Sequence, residues 1–188
     1  MPERYEYPPT EFDPKPRRTG TPGRRRYFPL LLALSAFVAL ADHISKKFIV
    51  HHLPLGRSHT VIPGILNVTH VLNTGAAFSF LADTASPDMV RRGLILFSAL
   101  AVIIVGVLLI KSCGCFNLTC IALALILGGA VGNLYDRIVY HYVIDFIGFH
   151  IGPYHWPDFN FADSAIVIGA CLLMIEIIRP PKDNTTSA

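Results

Sequence analysis

Long apolar stretches alternate with short polar segments along this chain of 188 residues. Four windows approach the ~20 residues that a helix needs to cross a bilayer. They are Tyr27 to Val50, Gly93 to Ile110, Ser112 to Tyr135 and Phe161 to Ile178. The second and third windows contain no charged residue. The sequence therefore predicts a membrane protein with four spanning helices.

A polar segment of about 40 residues between the first two windows has the pattern of a small sheet. Residues 60–62 and 65–72 are rich in β-branched side chains and are separated by Pro63-Gly64, which predicts a strand pair on the outer surface, within an external segment of about 51–75. Asn73 follows this pair. It is either a turn residue that bonds its own backbone or a polar side chain directed at a substrate.

Composition and charge give the orientation expected in the membrane. Only 15% of the residues are charged and the mean hydropathy is +0.48, whereas soluble domains carry about 25% charged residues. Seven of the 16 Lys and Arg residues precede Tyr27. Because cytoplasmic flanks collect Lys and Arg, both termini are expected inside, although Arg91 and Arg92 would then lie outside. The Pro-rich residues 1–26 predict a disordered tail rather than a nucleic-acid-binding segment, and residues 180–188 form a second cytoplasmic tail.

The first window also resembles a secretory signal. Arg24 to Arg26 precede an apolar run that ends Ala39-Leu40-Ala41, which is a small-residue cleavage pattern. Against cleavage, the helical pattern continues, with Asp42 and Lys46 spaced i,i+4 in the favourable order. We expect this pair to reach the outer interface and to satisfy itself there, so that the span is retained.

Two aspartates provide the candidate chemistry. Asp145 and Asp163 flank a short aromatic connection, residues 146–162, between two apolar stretches. Carboxylates at membrane depth are costly and indicate function, and two that converge suggest general acid–base chemistry on water. The alternative is a small transporter with a carboxylate proton relay, which predicts acids near the bilayer midplane and repeat symmetry between halves. No repeat is evident.

The third window ends in a polar turn. Asn133 and Arg137 share one helix face, while Asp136 lies to one side. These groups can cap the helix and pair with each other, and they can line the same pocket as the two aspartates, since the two roles are not exclusive. Small residues that allow close helix approach in lipid precede the turn, namely Gly128, Gly129 and Gly132.

Five ordered motifs resemble the lipoprotein signal peptidase (signal peptidase II) family. They are Asp42-x-x-Ser45-Lys46, Asn73-Thr74-Gly75-Ala76-Ala77-Phe78, the run Gly128 to Arg137, Val143-Ile144-Asp145-Phe146 and Phe159-Asn160-Phe161-Ala162-Asp163. The resemblance covers roughly Phe28 to Ile178, and Arg91 or Arg92 also resembles the family pattern. Rhomboid-like and presenilin-like proteases fit less well because their motifs are missing or incomplete.

The resemblance implies a four-transmembrane-helix bundle with a small external β-cradle, acting as an aspartic endopeptidase of the bacterial inner membrane. Such enzymes cleave diacylglyceryl-modified prolipoproteins before the lipidated cysteine. By motif, Asp145 and Asp163 are the catalytic pair. The residues implied to line the substrate site are Asn73, Asn133, Arg137 and Asn160. Asp42 and Lys46 are implied to be structural, and Asp136 is compatible with a supporting role. Gly148, Gly152 and Pro153 suggest a different shape for the loop that covers the site.

Cysteine and histidine residues show no metal-binding pattern. Cys113, Cys115, Cys120 and Cys171 fall within or beside predicted spans and are expected to pack as small apolar residues. No His-Glu-x-x-His motif is present, so we expect neither a metal nor a cofactor. Membrane lipids are the other expected partners. We expect a monomer, because one chain supplies every motif.

Overall fold

The computed structural model describes residues 27–75, 87–112 and 117–179. Their elements, in chain order, are α1 (Phe28–His52), β1 (Ser58–Ile62), β2 (Leu66–Asn73), α2 (Pro87–Ser112), α3 (Leu118–Val139), β3 (Val143–Ile151), β4 (Tyr154–Phe159) and α4 (Phe161–Ile178). All four helices are long and apolar enough to cross a membrane. The predicted four-helix bundle with a small sheet is therefore confirmed. The two predicted tails, Cys113 and Cys115 lie outside the described residues.

Helix α3 is the centre of the bundle. Half of its apolar window is buried, against 6% for α2, and it packs against α1, α2 and α4. Glycines permit this close approach: a Cβ on Gly129 would meet the carbonyl oxygen of Ala162 in α4. Far from the sheet, an apolar cluster includes Cys120, which is buried as predicted. Cys171 is exposed instead, because its side of α4 has no described neighbour to pack against.

Local chemistry explains where three helices begin. Pro29 stands in the first turn of α1, where its missing N–H costs nothing. Asn117 caps α3 by accepting a hydrogen bond from the N–H of Cys120 at 2.9 Å. Asn160 and Asp163 form a reciprocal capping box at the start of α4. Two of the predicted site residues therefore also fix a helix end.

The four strands form one antiparallel sheet in the order β1-β2-β3-β4. The predicted strand pair corresponds to β1 and β2 and is confirmed. The sheet lies where α1 and α3 end and where α2 and α4 begin. Consequently the strand residues next to the bundle face the polar ends of the helices.

The prediction of a loop between the two aspartates is wrong. Residues 143–151 and 154–159 form the hairpin β3–β4, which is closed by Gly152, with a φ of +60°, and Pro153. A glycine at the first central position suits a two-residue hairpin turn. β4 lies at the sheet edge, where Pro157 is tolerated because no partner needs its N–H. The hairpin makes Asp145 a strand residue, paired with Val71 of β2 on one side, two residues before the first β3–β4 pair, Ile147 with Phe159.

Candidate active site

The two aspartates come from different kinds of element at the same end of the bundle. Asp145 lies near the start of β3, opposite Val71 of β2, and is only 2% exposed. Asp163 lies in the first turn of α4 and is partly exposed. Asn160, which caps α4, contacts both of them. The sheet and the helix thus bring one buried and one accessible carboxyl group to one site.

Each of the four carboxylate oxygens accepts a hydrogen bond. Asp145 Oδ1 accepts from Asn160 Nδ2 at 2.8 Å, and its Oδ2 accepts from Asn73 Nδ2 at 2.9 Å. Asp163 Oδ1 accepts from Asn133 Nδ2 at 2.7 Å, and its Oδ2 accepts from the backbone N–H of Asn160 at 3.2 Å. Hydrogen bonds to a charged acceptor are strong. They fix both carboxyl groups and leave a second lone pair on each oxygen for water.

Backbone donors fix the orientation of two of these amides. The N–H of Gly75 donates to Asn73 Oδ1 at 2.8 Å, and the N–H of Asp163 donates to Asn160 Oδ1 at 3.0 Å. Because an amide oxygen only accepts and its nitrogen only donates, each amide must turn its NH2 group toward Asp145. The turn interpretation of Asn73 is therefore confirmed, and the turn also aims its side chain. Its contact with a substrate stays a prediction.

The environment of Asp145 favours its neutral form. Burial away from water is the largest influence and raises its pKa from 3.8 to about 6. The hydrogen bond from Asn73 opposes this rise, the charge of Asp163 adds to it, and Asn160 and Lys46 lower the pKa. A carboxyl group with a pKa of about 6 is populated in both protonation states near neutral pH, as acid–base catalysis requires.

Lys46 connects a second polar cluster to the aspartates. Its Nζ donates to Asp42 Oδ2 at 2.6 Å, to Asp136 Oδ2 at 2.7 Å and to Asn133 Oδ1 at 3.1 Å. The predicted pairing of Asp42 with Lys46 is present, but the prediction that the pair reaches water and satisfies itself is wrong, since both residues are buried and Lys46 has further partners. They are buried because Asp136 adds a second carboxylate, and because the N–H of Ala162 donates to Asp42 Oδ1 at 2.9 Å.

In the polar turn of α3, the side chains of Asn133 and Asp136 bond to residues of other helices. The side chain of Arg137 bonds within the turn. Arg137 Nη1 reaches back to the carbonyl oxygen of Asn133 at 3.3 Å and across to Ser98 Oγ at 3.4 Å. Among the residues that the structure describes, no ion pair joins Arg137 to Asp145 or Asp163. Its half-buried guanidinium group therefore lies beside the two carboxylates without a direct ion pair to either among the described residues.

His141 is a site residue that the sequence analysis did not identify. It lies in the short connection between α3 and β3 with a φ of +70°, a conformation that is uncommon outside glycine and is found preferentially where the surroundings fix it. It lines a small cavity of about 10 Å³ together with Asn73, Arg91 and Arg137. No local sequence pattern marks the position, because the conformation follows from joining a helix end directly to a strand.

Comparison with known proteins gives consistent similarities in sequence. The family model described as signal peptidase (SPase) II matches residues 34–179. The lipoprotein signal peptidase of Paraburkholderia phymatum is 43% identical over 148 residues, which cover 79% of this chain and 87% of that protein. The lipoprotein signal peptidase of Syntrophus aciditrophicus is 41% identical over 162 residues, covering 84% and 98% respectively.

Solved structures give the same result for the fold. A bacterial membrane enzyme determined by the in meso method at 1.9 Å resolution superposes with a TM-score of 0.73 and 30% identity, covering 81% of this chain and 95% of that one. A second bacterial membrane enzyme, solved by the same method at 2.3 Å, has a TM-score of 0.72 and 28% identity, covering 86% and 95%.

Proposed function

Because the chain belongs to the signal peptidase II family, we propose that it is an aspartic endopeptidase that removes signal peptides from diacylglyceryl-modified prolipoproteins. Cleavage takes place before the lipidated cysteine. The observation that carries the proposal is the pair Asp145 and Asp163, with all four oxygens hydrogen-bonded, at one end of four membrane-length helices. A transporter would place such acids near the middle of the bundle, and these two lie at its end.

The first chemical step uses the pair as one acid and one base. Ionising two neighbouring carboxyl groups is costly, so the reaction begins with one of them ionised and the other protonated. The ionised group takes a proton from a water molecule, and the water oxygen attacks the carbonyl carbon of the scissile peptide bond. The protonated group gives its proton to the carbonyl oxygen, forming a neutral tetrahedral intermediate.

The second step returns the pair to its starting state. The carboxyl group that took the proton from water donates it to the nitrogen of the leaving peptide, and the carbon–nitrogen bond breaks. The other carboxylate recovers its proton from the hydroxyl group of the intermediate as the carbonyl re-forms. The four hydrogen bonds keep both carboxyl groups in place during these transfers, so little reorganisation is needed.

The residues predicted to line the substrate site divide by burial. Asn133 and Asn160 are almost completely buried, and their amide NH2 groups donate to the two aspartates. We therefore assign them to positioning the pair. Asn73 and Arg137 are accessible beside the site. They are the groups available to hold the backbone of the substrate and the charge that develops on its carbonyl oxygen.

Family membership and the four apolar helices make this a multi-pass protein of the inner membrane. The helices expose large apolar side chains along their outer faces, which suits contact with lipid acyl chains. We place both termini in the cytoplasm and the sheet with the aspartates near the outer face, following the basic residues before Tyr27. We also propose a monomer, because one chain supplies both aspartates and all three asparagines.

Cleavage of a diacylglyceryl-modified prolipoprotein by the purified protein tests the proposal. We expect product cut before the lipidated cysteine from the wild type, and none from Asp145→Asn or Asp163→Asn. Glu176→Gln is the matched control, since it removes an acid whose partner is Arg179, at the end of α4 opposite Asp163. Circular dichroism and Tm in detergent establish that each variant is folded. A folded Asp163→Asn variant that cleaves at the wild-type rate would contradict the assigned mechanism.

A further inference from the structure

Lys46 and Asp163 contact opposite ends of one amide group. Lys46 Nζ donates to Asn133 Oδ1 at 3.1 Å, and Asn133 Nδ2 donates to Asp163 Oδ1 at 2.7 Å. We propose that Lys46 is a positioning residue for peptide cleavage, because it sets the orientation in which the Asn133 amide holds Asp163. The inference rests on the function proposed above for the two aspartates.

The chemistry of the donor fixes the amide. A lysine ammonium group has three N–H donors and no acceptor, so it requires the oxygen of Asn133 on its side and leaves the NH2 group for Asp163. The other donor to that oxygen is Asn160 Nδ2 at 3.3 Å, which already donates to Asp145 Oδ1 at 2.8 Å. Without Lys46, this shared and longer contact would be the one hydrogen bond left to the amide oxygen among the described residues, so the amide would be held less firmly in its orientation toward Asp163. A rotated amide would place its oxygen against the Asp163 carboxylate.

The ammonium group is itself held in place by a matched set of acceptors. Its three donors meet three oxygens, from Asp42, Asp136 and Asn133, at a site that leaves Lys46 only 2% exposed. If Asn133 turned away, one buried N–H of the charged group would lose its partner, which is costly. The two carboxylates fix the position of Lys46, and Asn133 connects the ammonium group to the candidate active site.

The cluster also joins the three helices that carry the site. Asp42 and Lys46 belong to α1 and Asp136 to α3, while Asp42 Oδ1 accepts the N–H of Ala162 in the first turn of α4. Gly132 makes room for this arrangement, since a Cβ there would lie 2.8 Å from Asp42 Oδ2. If Lys46 were purely structural, its substitution would affect only this packing of the three helices. The positioning role adds an effect on the chemical step in protein that is fully folded.

Steady-state cleavage by Lys46→Met compared with Lys47→Met is the first measurement. Methionine keeps the apolar stem of Lys46 and removes the donors, and Lys47 is the adjacent, exposed control. We expect kcat to fall roughly 10- to 100-fold in folded Lys46→Met, the scale of one hydrogen bond to a charged group, with KM nearly unchanged. Lys47→Met should keep the wild-type kcat. A folded Lys46→Met variant with the wild-type kcat would overturn the proposal.

A double-mutant cycle separates positioning through Asn133 from a general effect on stability. If Lys46 acts through this amide, Lys46→Met should reduce single-turnover rates in the wild type and should have little further effect in an Asn133→Ala background. Additive losses would overturn the proposal. Lys46→Met leaves Asp42 and Asp136 unpaired and could therefore prevent folding. In that case the triple variant Asp42→Asn, Lys46→Met, Asp136→Leu, which removes the three charges together, takes its place in the cycle.

A crystal structure of the folded Lys46 variant gives a readout that does not need activity. We expect the Asn133 side chain to have left hydrogen-bonding distance of Asp163 Oδ1, whereas it remains within that distance in Lys47→Met. An unchanged contact in the Lys46 variant would overturn the positioning role even if prolipoprotein cleavage were established. Conversely, a wild-type protein that fails to cleave prolipoprotein would overturn the proposed function and leave this structural test standing.

Discussion

Burial of Asp145 makes folding stability depend on pH in a defined window. The pKa of its carboxyl group is about 6 in the folded protein, against an ordinary value of 3.8, so the folded state binds more protons than the unfolded chain between these values. The stability contribution of this group is therefore fully present below about pH 4 and is lost as the pH rises through about 6. We expect the Tm of the wild type, relative to Asp145→Asn in the same detergent, to decrease from about pH 4 to about pH 7. A constant difference would contradict this.

Asn73 opposes that rise in pKa by donating to Asp145 Oδ2. Asn73→Ala removes the donor, so the pKa of Asp145 should increase and the corresponding inflection in the pH profile of kcat/KM should move to higher pH. We also expect turnover to fall by roughly 10-fold or more, in line with the loss of a hydrogen bond to a charged group. Asn67→Ala is the control, since Asn67 lies on the same strand opposite Gly148. Coincident profiles for the two variants would refute the assignment.

Single residues in this chain were predictable where their chemistry is conspicuous. Asp145 and Asp163 stand out because carboxylates next to apolar stretches are costly. The role of Asn160 in fixing both of them was not readable, because it depends on an amide oxygen being occupied by a backbone N–H across a helix start. The burial of Lys46 was likewise unpredictable, since Asp136, its second carboxylate partner, is 90 residues away in sequence.

Among the elements, the contact between α3 and α4 controls the position of the site. A Cβ on Gly129 would meet the backbone carbonyl oxygen of Ala162 and the side chain of Ile166. Because backbone cannot yield as a side-chain end can, Gly129→Ala should displace α4 and with it Asp163. We expect a lower Tm and a loss of most cleavage activity. A wild-type Tm and rate for this variant would show that the two helices can separate freely.

Gly106→Ala is the matched control for this helix contact. Gly106 lies in α2, and a Cβ there would meet nothing within 4 Å. Alanine is the better helix former by about 1 kcal/mol in soluble helices, so the variant should keep wild-type activity with an equal or higher Tm. A similar loss from both glycine variants would indicate a general effect of substitution in the helices rather than the α3–α4 contact.

The helices were predictable from hydropathy alone, but half of the sheet was not. Window lengths located all four spans, although α2 begins at Pro87 and α3 continues to Val139, because polar residues at a helix end keep the helical backbone while lowering the hydropathy. β3 and β4 lack the alternation that marks strands: β4 is largely exposed on both faces and contains Pro157. The hairpin is stabilised by pairing with β2, whose residues lie 70 or more positions earlier in the sequence. The local sequence around the hairpin gives no information on that contact.

For the molecule as a whole, the orientation of the bundle decides which compartment the site faces. The turn at Gly64 and the end of α2 at Ser112 lie at opposite ends of the bundle. With the basic tail inside, alkaline phosphatase fused after Gly64 should be exported and active, whereas a fusion after Ser112 should be inactive. A fluorescent protein that matures only in the cytoplasm should give the reverse pattern at the same two positions.

Arg91 and Arg92 are the residues that oppose this orientation, and the structure gives Arg91 a role other than setting it. Arg91 pairs with Asp88 at 3.1 Å and lines the small cavity beside Asn73 and Arg137, so it belongs to the site end of the bundle. Substituting both arginines with glutamine should therefore leave the fusion pattern unchanged. Neutralising the basic residues before Tyr27 should weaken it, because those charges set the orientation of the first span. If the two reporters gave the reverse pattern of activity in the wild type, the aspartates would lie on the cytoplasmic side, away from the exported part of a prolipoprotein.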